Sequence, residues 1–132
     1  MTFLLIDDDE DDRDLFEIAL NNLEQKPNYH SAASCCSALE LLESGTIKPD
    51  YIFLDLNMPQ ISGRECLKEL KKSIKLSGIP VIIFSTSSDN RDISETKEMG
   101  AIDFITKPSK TSELTQILHN FILNQTATPT KK

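Results

Sequence analysis

Four short apolar runs stand out along the chain: Phe3 to Ile6, Tyr51 to Leu54, Val81 to Phe84 and Ala101 to Ile105. Each is too short for a helix and rich in β-branched or aromatic residues, the profile of strands buried on both faces. A weaker stretch, Tyr29 to Ser34, has modest apolar content and fits an edge strand. Between these runs the apolar residues recur at helical spacing. Leu15, Phe16, Ala19, Leu20 and Leu23 form one stripe, Ala38, Leu41 and Leu42 a second, and Leu67, Leu70 and Ile74 a third. Ser62 and Glu65 open the third at capping-box spacing. The fourth pattern, Ile93 to Met99, is poorly periodic, whereas Leu114, Ile117, Leu118, Phe121 and Ile122 follow the i, i+3, i+4, i+7, i+8 template. Strand and helix thus alternate five times, which predicts an α/β domain with a parallel sheet covered by helices on both faces.

Composition narrows the class. The 132 residues, 39% of them hydrophobic, suffice for one core without metal or disulfide staples. The expected organisation is one domain over residues 1–123 and a flexible polar tail over 124–132, where no periodic apolar face remains. A net charge of -7 offers nothing to nucleic acid or to an acidic membrane, so the expected partners are proteins. The N-terminal apolar run is too short for a signal peptide or a membrane span, and a cytoplasmic location is expected. Cys35, Cys36 and Cys66 lack metal or redox spacing and read as small core or surface residues. His30 and His119 stand apart from every acidic motif and read as surface or structural.

The polar residues that end the strong strands carry the chemistry. Asp7 and Asp8, then Asp55, then Ser85 and Thr86, then Lys107 each stand at a strand's carboxyl end, the edge where open α/β sheets bind ligands. If the first and third strands are neighbours, about 4.8 Å apart, three carboxylates crowd together. Two carboxylates about 4 Å apart repel by roughly 4 kcal/mol at an effective dielectric near 20, so a cation is required. Oxygen donors with room for water suit Mg²⁺, and Lys107 adds a fixed positive charge. Asp9, Glu10, Asp11 and Asp12 read instead as acids placed at a helix start, where the macrodipole favours them. Asp7, Asp9 and Asp11 have calcium-loop spacing, but Asp12 and Ile18 occupy the positions that would need glycine and glutamate. A dinucleotide turn is excluded because Gly45, Gly63, Gly78 and Gly100 form no Gly-x-Gly-x-x-Gly run.

Over residues 3–123 the chain resembles the response-regulator receiver family. The resemblance rests on Leu4-Leu5-Ile6-Asp7-Asp8-Asp9, on Leu54-Asp55-Leu56-Asn57-Met58-Pro59 with Gly63, on Pro80 to Thr86, on Gly100-Ala101, and on Phe104-Ile105-Thr106-Lys107-Pro108. It implies a flavodoxin-like doubly wound sheet of order 2-1-3-4-5 with five helices. It further implies that Asp55 is the phosphoacceptor, phosphorylated with Mg²⁺ by a sensor histidine kinase or a histidine phosphotransfer protein. Asp8 would bind the metal directly, Asp7 mainly through water, and Asn57 through its backbone carbonyl. Lys107 and the Ser85 hydroxyl would contact phosphoryl oxygens, Thr86 would line the entrance, and Phe104 would turn inward when Ser85 moves. A cis peptide before Pro108 is also implied. An unidentified downstream protein would bind the face made by the fourth helix, fifth strand and fifth helix.

The family often has threonine at the position of Ser85 and tyrosine at that of Phe104. Serine lacks the β-branch that stiffens χ1, and phenylalanine lacks a hydroxyl to anchor an exposed rotamer, so a weaker switch is expected. The rival reading is an aspartyl-phosphate phosphatase. It needs a second acid two residues after the nucleophile, where this chain has Asn57, which cannot protonate a leaving group. A receiver-like adaptor that works without phosphorylation would not need the acid, hydroxyl and lysine set. A signalling receiver, rather than an enzyme acting on a separate substrate, is therefore the expected function.

Overall fold

The computed structural model describes residues 1–127. Among them five strands alternate with five helices: β1 (Thr2–Ile6), α1 (Glu10–Asn21), β2 (Asn28–Ala32), α2 (Cys35–Glu43), β3 (Tyr51–Leu54), α3 (Gly63–Lys72), β4 (Val81–Ser85), α4 (Asn90–Glu98), β5 (Asp103–Thr106) and α5 (Thr111–Ala127). The strands form one sheet in the order β2-β1-β3-β4-β5, and every neighbouring pair is parallel. This is the doubly wound arrangement that the alternation and the resemblance predict.

Side chains alternate across the sheet and build two cores. Phe3 and Leu5 of β1, Phe53 of β3, and Ile82 and Phe84 of β4 pack with Phe16, Ala19 and Leu20 of α1 and with Leu114, Leu118 and Phe121 of α5. Leu4, Ile6, Ile52, Leu54, Val81 and Ile83 face α2 and α3 on the other side. Phe53 lies 5.0 Å from Phe3 and 5.1 Å from Phe16, ring centre to ring centre. Such aromatic pairs add about 0.5–1.5 kcal/mol each beyond their buried area. They hold β1 and β3 in fixed register, and these strands lead into Asp7 and Asp55.

Several boundaries differ from the sequence expectation. Ile74 is not on the third stripe: α3 stops at Lys72 because Ser73 takes an extended conformation, and Ile74 is 98% exposed. Leu76, whose N–H donates to the Ser73 Oγ, is buried in its place. β5 starts at Asp103 because Gly100 turns the chain at φ +111°. α5 continues through residues 124–127, assigned from sequence to the tail, and Tyr51 Oη donates to Gln125 Oε1 at 3.1 Å. The tail expected over 128–132 lies outside the described residues. No cis peptide bond occurs among the described residues, so the bond before Pro108 is trans, the commoner form of X-Pro bonds. Cys35 and Cys66 are buried as expected, but they are joined in a disulfide between α2 and α3. Thirty-one residues of separation gave no spacing signal for that pairing. No described helix is long and apolar enough to cross a membrane.

Candidate functional site

The ladders that build the sheet run on into the site. Ile6 pairs with Leu54, and the Asp55 N–H donates to the Ile6 carbonyl at 3.0 Å, so Asp7 and Asp55 leave adjacent strands at the same level. Ser85 pairs with Thr106, and the Lys107 N–H donates to the Ser85 carbonyl at 2.7 Å, which brings the fourth and fifth segments to the same edge. Oxygens of Asp7, Asp8 and Asp55 all lie within 4.8 Å of one another. The Lys107 ammonium reaches Asp7 Oδ2 at 2.9 Å, Asp12 Oδ2 at 2.7 Å and Asp55 Oδ1 at 3.5 Å, and sits 5.4 Å from the centre of the Phe84 ring. The convergence expected from strand ends is therefore present for Asp7, Asp8, Asp55 and Lys107.

Each side chain is held locally. Asp7 is fully buried, and its Oδ1 accepts from the Asp9 N–H at 3.0 Å. Arg13 donates from Nη1 to the Asp7 carbonyl at 2.8 Å, and Tyr29 donates to the Arg13 carbonyl. Asp9 caps α1 by accepting from the Asp11 N–H, as a helix-start acid should. Beyond Asp55, the chain passes exposed Asn57, whose N–H lies 3.5 Å from Asp55 Oδ1, and turns at Gln60, which has φ 66°. The turn seats α3 directly behind the site. The Gly63 N–H donates to the Leu56 carbonyl at 2.9 Å, and a Cβ at Gly63 would collide with the Asp55 carbonyl and the Leu56 Cα. Only glycine fits that approach. Ser62 and Glu65 form the capping box read from sequence.

Electrostatics follow from burial and crowding. Burial pushes the Asp55 carboxyl up to about 6, the Asp7 charge pushes the same way, and Lys107 opposes both. Burial also raises Asp7, against the Asp9 N–H and Lys107. Burial would pull Lys107 down, but its hydrogen bonds to Asp12 and Asp7, with the nearby charges of Asp7 and Asp55, raise it instead. The described residues thus carry three clustered carboxylates and one shared ammonium. Three carboxylates whose oxygens lie within 4.8 Å of one another are the hard-oxygen donors that suit a small divalent cation, which commonly takes one or two carboxylates directly and others through water.

Ser85 is fully buried, and its Oγ accepts from the Ser87 N–H at 3.2 Å. Thr86 is exposed beside it, and Phe104 is half-buried against the core beneath α4. Sequence reasoning missed two contributors. Asp12 stands in the first turn of α1, as its sequence position predicts, but it also holds Lys107. Its position, one turn into α1 with its side chain leaning back towards the sheet edge, was the available signal. Arg13 carried no signal, because its partner is a backbone carbonyl.

A doubly wound parallel sheet whose carboxyl edge gathers three acids, a hydroxyl and a lysine defines a class of small signalling domains, and comparison with known proteins agrees. The family model for the response regulator receiver domain matches residues 3–119. The chain belongs to that family. The two-component response regulator ORR6 of Oryza sativa subsp. japonica is 35% identical over 118 residues, covering 89% of this chain and 68% of the relative. ORR1 of the same plant is 32% identical, with 86% of this chain matched, and the chain spans about half of its length. Among solved structures, the phosphorylated cyanobacterial phytochrome response regulator RcpA superposes with a TM-score of 0.81 at 31% identity, over 91% of this chain and 89% of that one. The Mn²⁺-bound response regulator Rcp1 gives 0.79 at 26% identity, over 91% and 90%.

Proposed function

We propose that this receiver accepts a phosphoryl group on Asp55 from the phosphohistidine of a sensor histidine kinase or a histidine phosphotransfer protein. The observation that carries the reading is the convergence of Asp7, Asp8, Asp55 and Lys107 at one edge of the sheet. An Asp55 oxygen attacks phosphorus in line, the phosphorus–nitrogen bond breaks with its electron pair going to the imidazole, and an acyl phosphate forms. Asp8 would hold Mg²⁺ directly, Asp7 mainly through water and Asn57 through its carbonyl. When bound, the ion supplies charge neutralisation for phosphoryl oxygens. The metal-bound neighbour and the chemistry of the three carboxylates support a divalent site.

Lys107 donates to one phosphoryl oxygen and the Ser85 hydroxyl to another. Thr86, exposed next to Ser85, lines the entrance and governs access. Movement of Ser85 towards the phosphoryl group vacates space for Phe104, and the altered α4–β5–α5 face binds a downstream protein.

Incubation with acetyl phosphate, followed by intact-mass measurement, tests the chemistry. One added phosphoryl group is expected with Mg²⁺, and none in EDTA or in Asp55→Asn. Equal labelling in EDTA, or undiminished labelling of the variant, would refute the proposal.

A further inference from the structure

Asp12 is the closest partner of Lys107. Its Oδ2 lies 2.7 Å from the ammonium, against 2.9 Å for Asp7 and 3.5 Å for Asp55, the last too long for a normal hydrogen bond. The side chains of Lys107 and Asp12 are 10% and 28% exposed, so the pair is shielded from water more than a surface ion pair is. Ninety-five residues separate the two, so only the fold brings them together. Helix propensity does not account for the geometry either. Three residues after its N-cap, α3 carries Glu65, which turns back to accept from the Ser62 N–H. Asp12 stands at the same place in α1, three residues after Asp9, and reaches for Lys107 instead. It is also separate from the three carboxylates that crowd together.

We infer that Asp12 is a positioning residue that holds the Lys107 ammonium on the α1 side of the crevice and competes with a phosphoryl group for it. The inference rests on Asp55 being the phosphoacceptor. A divalent cation bound by Asp7, Asp8 and Asp55 draws on their charge, which leaves Asp12 as the remaining anionic partner of Lys107. A phosphoryl oxygen must then draw the ammonium away from Asp12 or share it, so the affinity of the site for phosphoryl groups stays below what Lys107 alone would give. Neutralising Asp12 should raise affinity for a phosphoryl anion without raising affinity for the cation. A side chain that merely supported the fold would weaken both on removal.

The experiment titrates the full chain by NMR, first with Mg²⁺ alone and then with beryllofluoride in saturating Mg²⁺. Asp12→Asn is expected to bind beryllofluoride roughly three- to tenfold more tightly than wild type, the size of losing a partly exposed ion-pair competitor. Its Mg²⁺ affinity should be equal or lower. Asp12→Glu, which keeps the charge, should stay within about twofold of wild type, as should Asp11→Asn, which removes an exposed acid of the same helix turn without touching Lys107. Equal or weaker beryllofluoride binding by Asp12→Asn, or the same gain in Asp11→Asn, overturns the inference alone. Wild type that binds Mg²⁺ but not beryllofluoride overturns the phosphoacceptor reading and the inference with it.

Discussion

At Asp55 burial and the neighbouring Asp7 charge act in the same direction, and Lys107 opposes them. Its carboxyl, 5% exposed and beside Asp7, is pushed up to about 6 from an ordinary 3.8. A folded-state value raised above the unfolded one means that the native metal-free protein holds the proton more tightly. The stabilising contribution is therefore present below about pH 4 and is lost as pH rises through about 6. Asp55→Asn removes that titration. In EDTA, the stability of the variant minus that of wild type should grow by roughly 3 kcal/mol between about pH 4 and 6 and then level off. Urea melts across this range measure it, and a difference that is flat with pH would contradict the electrostatic account. The site acids were legible in the sequence because each follows a strand, whereas an acid such as Asp12 on a first helical turn has a local explanation in the macrodipole. That Asp12 pairs with Lys107 becomes visible only once the fold brings α1 and the end of β5 together.

Among the elements, α4 is held differently from the others. Thr96 is its one buried residue, which explains why its sequence showed so little periodicity. Polar contacts tie it down instead. Arg64 of α3 donates from Nη2 to Asp92 Oδ1 at 2.5 Å and to Glu95 Oε1 at 2.9 Å, while Ser87 Oγ donates to Asp92 Oδ2 at 2.6 Å. The Ser87 hydrogen bond first, and Arg64 second, hold the Asp92 carboxyl below the usual carboxylate range. Ser87 in turn donates its N–H to the Ser85 Oγ, so the clasp connects α3 and α4 to a residue of the site. Asp92→Asn and Arg64→Gln should each speed amide exchange in residues 86–98 by about threefold to tenfold while leaving β1 and β3 unchanged. Unchanged exchange in both variants would show that apolar contacts alone secure α4. The stripe of α1 was readable in Phe16, Ala19 and Leu20, which are buried, whereas Leu15 of the same stripe is exposed and Leu23 lies past the helix end at Asn21. The ends of α3 and α5 were not readable, because Ser73 stops α3 before a misleading Ile74, and because polar residues extend α5 after its apolar face is complete.

For the molecule as a whole, the alternation of strands and helices was enough to foresee a covered parallel sheet, while the strand order came from the resemblance. Polar contacts lead from the carboxyl edge of the sheet towards the surface. The route runs through the end of β4: Ser85 accepts from Ser87, and the Ser87 carbonyl accepts from the Thr106 hydroxyl of β5 at 3.1 Å. Beyond it, Phe104 sits half-buried beside a groove of about 160 Å³ lined by Ile93, Thr96, Lys97, Ala101 and Ile102. If Ser85 turns its hydroxyl towards a phosphoryl group, the Ser87 N–H loses its acceptor, and the β4–α4 loop gains freedom as Phe104 gains space. A ligand shifts such an equilibrium only by its differential affinity for the two states. Phe104 has no hydroxyl to anchor an outward rotamer, so the resting protein should already sample part of the shift, which lowers the amplitude left to be driven. Beryllofluoride with Mg²⁺ should therefore move NMR resonances of residues 86–110 by modest amounts, and Ser85→Thr, whose β-branch stiffens χ1, should enlarge them. Shifts confined to the neighbours of Asp7, Asp8, Asp55 and Lys107 would show that phosphorylation is not read out on the α4–β5–α5 face.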